Sequence, residues 1–271
     1  MVRDITLGQY VIAKSPLHRT DPRIKLVSLV LVIAFLFVAN TFSGLAVMTA
    51  LVLLGMCCSG VRISQYLRSL RAVIILVAFT SVFNLFYGTG DVLVQWGFLQ
   101  ITTGGIRTAI FVAVRILMMI LASCVLTFTT SPNQLCDAME RLLKPLTYVK
   151  VPVHEIAMMM TIAIRFIPTL LEETDKIMSA QKARGADMES GGLISRAKAL
   201  IPVLIPLFIS SFRRAFDLAM AMEARCYNGG KGRTKLRVLQ LQRADFIVLM
   251  IVLLFSAATL LLRIFVTNPW W

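Results

Sequence analysis

The chain has 271 residues, 58% of them hydrophobic, and a formal net charge of +14. A mean hydropathy of +0.79 is far too apolar for a water-soluble domain of this length and places the chain among integral membrane proteins. The charge alone would suit nucleic acid, but its distribution along the chain excludes that partner and points to the lipid bilayer.

The first 25 residues are polar and carry Arg3, Asp4, Lys14, Arg19, Asp21, Arg23 and Lys25. They lack the short apolar core and small-residue cleavage site of a signal peptide, so an unprocessed multipass chain is expected. Residues 26–61, 72–90 and 116–136 hold no charged side chain, and about 20 apolar residues cross the hydrocarbon core as a helix. The first span is predicted over 26–39, followed by the turn Asn40-Thr41-Phe42-Ser43-Gly44 and a second span ending near Cys58. A basic loop over 62–71 leads to a third span over 72–87. The alternation of Val92, Val94, Trp96 and Phe98 in the outer loop 91–105 predicts a short hairpin. A fourth span, 106–129, carries Arg115 well inside it. An intramembrane Arg is costly unless paired, so it should face other helices.

Ser131 and Pro132 are a strong helix start. Leu135, Ala138, Met139, Leu142, Leu143 and Leu146 then share one face, with Asp137, Arg141 and Lys144 opposite. This helix is too polar to span and should lie along a surface. The apolar run 156–164 is nine residues long, too short to cross. It continues through Arg165-Phe166-Ile167-Pro168, where a bend is expected, into the polar stretch 172–182. The design repeats over 193–211, with Pro202 and Pro206 on one face, followed by Arg213, Arg214 and Asp217 and an end at Arg225. These two helices read as long arms with membrane-proximal roots and cytoplasmic tips. A linker over 228–243 precedes the last span, 246–265, whose outer end Trp270-Trp271 would anchor at the headgroups.

The resulting organisation is all-α: a membrane part over 1–130 with four spans, a cytoplasmic helical coupling domain over 131–243, and a fifth span within 244–271. In this arrangement 25 of the 28 Lys and Arg residues fall on one side. The positive-inside rule makes that side the cytoplasm, with the amino terminus inside and the carboxyl terminus outside the cell membrane.

Both arms end on small-Arg-small triplets, Ala183-Arg184-Gly185 and Ala224-Arg225-Cys226. Two readings stand side by side. A basic last turn followed by Gly is an ordinary helix C-cap, which Gly185 and the pair Gly229-Gly230 both fit. Alternatively, small neighbours admit a partner's backbone closely while Arg offers a planar five-donor fork to a carboxylate. Two such tips would suit a two-subunit partner.

Other candidates carry less chemistry. Asp21 and Arg23 read as a cap at the mouth of the first span, and His154-Glu155 as a helix start. Glu172, Glu173 and Asp175 share their helix with Lys176 and Lys182, as a solvated face does. Cys57, Cys58, Cys124, Cys136 and Cys226 form no Cys-x-x-Cys pair, so neither a metal site nor a disulfide framework is expected. Met158-Met159-Met160, Met220 and Met222 suggest adaptable packing surfaces. No Gly-rich phosphate loop occurs, so nucleotide hydrolysis by this chain is not expected.

Asp21-Pro22-Arg23, Ser131-Pro132, Arg165-Phe166-Ile167-Pro168, Gln181-Lys182-Ala183-Arg184-Gly185 and Glu223-Ala224-Arg225-Cys226 follow one another in an order that resembles the transmembrane T component of energy-coupling factor (ECF) transporters. The cobalt-transport permease component belongs to the same family. The resemblance implies a non-catalytic scaffold with about five spans. It also implies that Arg184 and Arg225 dock into two ABC-type ATPases, which alone bind ATP and Mg, and that the long helices hold a small S component that captures a vitamin or metal ion. On that basis Met158, Met159, Pro168, Pro202, Leu204 and Pro206 are the expected S-component contacts, and Asp21, Pro22, Arg23 and Arg165 are structural motif residues. Cys226 departs from the family pattern, where Gly or Ser is usual. The competing readings are a lipid-modifying membrane transferase and the permease of an ordinary ABC importer.

Overall fold

The computed structural model describes residues 10–11, 13, 15–86, 91–96, 99–186, 192–230 and 240–265. In chain order the elements begin with α1 (Pro16–Arg19), α2 (Pro22–Val38), α3 (Phe42–Ser59), α4 (Ile63–Phe86), β1 (Val92–Trp96) and β2 (Leu99–Thr102). They continue with α5 (Thr103–Thr129), α6 (Pro132–Leu143), a 3-10 turn (Lys144–Val149), α7 (Val153–Ala183), α8 (Leu193–Ala224) and α9 (Arg243–Phe265). Two compact units result: Gly8–Ala138 with Val238–Trp271, and Met1–Leu7 with Met139–Arg237.

The first unit packs α2, α3, α5 and α9 together, with α4 against α5. Its interior is made by Val32, Leu36, Leu45, Met48, Leu121 and Phe128, among others. Buried Tyr66 stands edge-on to Phe128 and donates to the Ser59 hydroxyl at 2.9 Å. The predicted hairpin is present as antiparallel β1 and β2. Threonines cap the next helices: Thr41 Oγ1 accepts from Gly44 N, and Thr102 Oγ1 from Gly105 N. A Cβ at Gly105 would stand 2.4 Å from the Leu85 carbonyl oxygen, so only Gly lets α5 approach α4 this closely. Arg115 has its partner here. It donates to the Ala39 carbonyl at the end of α2 and lies over the Phe111 ring, so a backbone acceptor and an aromatic face take the half-buried cation.

Several boundaries differ from expectation. The basic segment 62–71 is not a loop: α4 starts at Ile63 and runs through it, because Arg68 and Arg71 in its second and third turns are good helix formers. The amphipathic helix ends at Leu143, and Leu146 falls in the 3-10 turn, where Pro145 cannot donate an i→i−4 hydrogen bond. Its start is a reciprocal capping box: Ser131 Oγ accepts from Gln134 N, and Gln134 Oε1 from Ser131 N. The expected Trp270-Trp271 anchor and most of the linker 228–243 lie outside the described residues.

Among the described residues, six helices are long and apolar enough to cross a bilayer: α3, α4, α5, α7, α9 and residues Lys198–Ala224 of α8. The 17 residues of α2 sit at the lower limit for crossing. The run 156–164 was expected to be too short. As part of the one helix expected through Pro168, which is 31 residues long, it is long and apolar enough to cross; α8 likewise runs through Pro202 and Pro206 for 32 residues. The start of α2, the end of α5 and the start of α9 meet at one end of their unit through the contacts of Asp21, Lys25 and Asp245. An even number of crossings therefore separates α5 from α9, so α7 and α8 either both cross or both do not.

Candidate functional site

The two triplets close their helices with the same backbone. In α7, Gly185 N donates to Lys182 O and Ala186 N to Gln181 O, each at 3.0 Å. In α8, Cys226 N donates to Glu223 O at 2.8 Å and Tyr227 N to Met222 O at 3.0 Å. Both are Schellman caps. Arg184 and Arg225 are themselves the C-cap residues, and the third residue of each triplet is left-handed, Gly185 at φ 85° and Cys226 at φ 54°. The cap of α8 is thus Cys226, not the Gly229-Gly230 pair expected from sequence. A Cβ is tolerated there at some conformational cost.

Ala183, Arg184, Gly185, Ala224, Arg225 and Cys226 are all exposed. Neither guanidinium has a hydrogen-bond or ion-pair partner among the described residues. The cap geometry is complete without the arginine side chains, so both forks are free to bind something else.

The arms are not parallel. Glu173 on α7 accepts from Ser210 Oγ and from Arg214 Nε and Nη2 on α8, the Nε bond at 3.1 Å. Gln181, further along α7, donates to the carbonyl of Pro202, earlier on α8, at 3.3 Å. One index rises as the other falls, so α7 and α8 form an antiparallel hairpin. Arg184 lies where α8 begins, whereas Arg225 lies at the far end of α8, roughly 35 Å of helix from Pro202 at about 1.5 Å per residue. The Gln181 contact has a local cause. Pro206 has no N–H, which leaves the Pro202 carbonyl without its i+4 donor, and the Gln181 amide fills the vacancy.

On α8, Leu200, Leu204, Phe208, Phe212, Phe216 and Met220 recur every fourth residue and are 44–66% exposed. They form one apolar ridge that continues past Arg213 and Arg214 into the polar half. Of the other expected contact residues, Met159, Pro168 and Pro202 are exposed, and Met158 and Pro206 are half-buried. Arg165 is also exposed. His154 does not work with Glu155; its Nδ1 hydrogen-bonds with Glu140 Oε1 at 3.0 Å, tying α6 to the start of α7.

In the membrane unit, Asp21-Pro22-Arg23 is a cap with long-range ties. Asp21 Oδ1 accepts from Arg23 N at 2.9 Å, and its carboxylate pairs with the Arg23 guanidinium at 2.8 Å. Asp21 N donates to Asp245 Oδ1 at 2.7 Å, and Asp245 Oδ2 accepts from Gln242 N at 2.6 Å. Lys25 Nζ donates to the Thr129 carbonyl at 2.9 Å and to Thr130 Oγ1 at 3.4 Å. Asp245 and Lys25 were not singled out from sequence. A charge just inside an apolar helix was the available signal. Among the described residues, no three His, Cys, Asp or Glu side chains converge as a metal site requires.

These features define a polytopic helical membrane protein with a long antiparallel hairpin, each of whose two helices ends on an exposed arginine cap. The family model for CbiQ, a cobalt transport protein, matches residues 13–236. The energy-coupling factor transporter transmembrane protein EcfT of Ruminiclostridium cellulolyticum is 49% identical over 263 residues, covering 97% of this chain and 98% of the relative. The protein of the same name from Clostridium kluyveri is 48% identical, covering 100% of this chain and 99% of the relative. That from Brevibacillus brevis is 49% identical, covering 92% and 94%. The chain belongs to this family of ECF transporter transmembrane components.

Proposed function

We propose that the chain is the scaffold that couples two cytoplasmic ABC-type ATPase subunits to a small substrate-binding S component during uptake of a vitamin or metal ion. The observation that carries this reading is the pair of arginine caps: alike in backbone hydrogen bonding, exposed, without a side-chain partner among the described residues, and at opposite ends of one hairpin. Ends so far apart suit two separate partner grooves, one per ATPase, and suit a single groove poorly. A force applied at either end is transmitted along a helix clamped to its neighbour by Glu173, Ser210, Arg214 and Gln181. ATP and Mg belong to the partner subunits, and this chain contributes no catalytic residue. The apolar ridge of α8, with Met159 and the surface around Pro168, Pro202 and Pro206, is the face offered to the S component.

The reading is tested by what accompanies the detergent-solubilised chain: two ATPases and one small membrane protein are expected. Met159→Glu and Leu204→Glu should then reduce recovery of the small membrane protein at least fivefold while ATPase recovery stays within a factor of two. Equal loss of both would mean that these faces serve internal packing.

The segment 131–243 and the amino terminus belong on the cytoplasmic side in this reading, supported by the 25 of 28 basic residues that sort together. A cysteine at Asp91 in an otherwise cysteine-free chain should react with an impermeant maleimide in intact cells, and one at Asn228 should not. The reverse pattern would invert the topology and place both arginine caps out of reach of any ATPase.

A further inference from the structure

The membrane unit contains a half-open cleft of about 330 Å³ bounded by α1, α2, α3, α5 and α9, unrelated to the arginine caps. Its walls are almost wholly apolar, with Leu29, Leu54, Leu126 and Ile251 contributed by four different helices. Water in such a space finds no hydrogen-bond partners along the walls, so an apolar occupant is favoured.

One end of the cleft is different. Lys25 and Ser28 line it there, and both are more than nine-tenths buried, at 6% and 8% exposure. The Ser28 hydroxyl has no hydrogen-bond partner among the described residues. Lys25 uses two of its three N–H donors, on Thr129 and Thr130, and one is left over. This is also the end at which α1 and α3 finish and α2 and α9 start. Arg19 and Arg23 flank Asp21, Arg243 stands two residues before Asp245, and Arg62 follows the end of α3, so the same helix ends bring four arginines to this end of the unit together with the acids Asp21 and Asp245, Arg23 being paired with Asp21. Four arginines and a lysine against two carboxylates leave a positive rim on an apolar slot. An amphiphile with an acyl tail and an anionic head matches both parts, and basic pockets between membrane helices are a known mode of binding anionic headgroups.

We propose that this cleft holds one acyl chain of an anionic phospholipid, with its phosphate at the Lys25 and Arg62 end, as a bound constituent of the membrane unit. Gly55 lines the cleft, and a Cβ there meets nothing within 4 Å. The slot can thus be filled from within without touching the polar end.

The full chain, reconstituted in equal parts dioleoylphosphatidylglycerol and dioleoylphosphatidylcholine and then stripped in detergent, is examined by native mass spectrometry. One phosphatidylglycerol per chain should survive stripping, at least tenfold in excess over phosphatidylcholine. Gly55→Phe should lower that retained fraction at least tenfold. Arg62→Gln, at an exposed site that leaves the cleft intact, should keep a lipid bound but cut the preference for phosphatidylglycerol about fivefold. That factor corresponds to about 1 kcal/mol per basic residue near an anionic headgroup surface. Equal retention of the two lipids, which is the behaviour of ordinary surrounding lipid only, overturns the proposal. So does an unchanged retained fraction in Gly55→Phe, or an unchanged preference in Arg62→Gln should Gly55→Phe fail to fold.

Discussion

Arg184→Ala and Arg225→Ala are each expected to reduce transport and the association of one ATPase at least tenfold, and the double variant to abolish transport and association of both. The structure sharpens the reason. Each arginine is the C-cap residue of a Schellman motif whose hydrogen bonds are all backbone, so the cap survives loss of the side chain. A cation acting only on the helix dipole is worth about 0.3–1 kcal/mol, and Lys replaces it nearly as well. A guanidinium fork desolvated against a partner carboxylate loses on the order of 2–5 kcal/mol when truncated, and Lys cannot restore its planar two-point contact. Lysine is therefore the deciding substitution. Arg184→Lys and Arg225→Lys should behave nearly like the alanine variants in reconstituted vesicles, while the membrane unit keeps its melting midpoint. Normal transport by both lysine variants would reduce the arginines to caps. Because the two ends are far apart, each single variant should release one ATPase contact and retain the other, a pattern that a single shared groove would not produce.

Asp245→Ala should be the most destabilising single change in the membrane unit. Asp245 is 1% exposed and accepts from two backbone N–H groups, those of Asp21 and Gln242. Removing the carboxylate strands the buried Asp21 N–H, at about 1–3 kcal/mol, while the N–H of exposed Gln242 turns to water. It also detaches the start of α9 from the start of α2. The thermal midpoint in detergent should fall by roughly 5–15 °C. Asp245→Asn keeps one carbonyl acceptor but turns an amide N–H₂ toward the other donor, so about half the loss is expected. A midpoint unchanged to within about 2 °C in the alanine variant would show that water replaces the carboxylate and that the tie is dispensable.

Long apolar runs located α2, α3, α4, α5 and α9 in the sequence, because a helix in lipid must be apolar over most of its length and that property is local. Helix ends were legible for the same reason. Ser131-Pro132, Asp21-Pro22 and the two arginine triplets act on backbone groups within four residues of themselves. The arms, the candidate docking arginines and the family resemblance followed from those short patterns. Where an end was misread, at Cys226, the left-handed position went to a residue that seldom takes it.

The remainder was decided by tertiary packing. In lipid no hydrophobic difference tells one helix which neighbour to choose; close packing and a few polar contacts do so. Those contacts join residues far apart in the chain: Asp21 with Asp245, Lys25 with Thr129, Arg115 with Ala39, and Glu173 with Arg214. Their spacing follows no period, so no pattern along the sequence announces them. The same contacts make the arms antiparallel and set the two arginine ends at opposite ends of the hairpin, a relation that depends on which helix faces meet and not on the order of the residues within either helix.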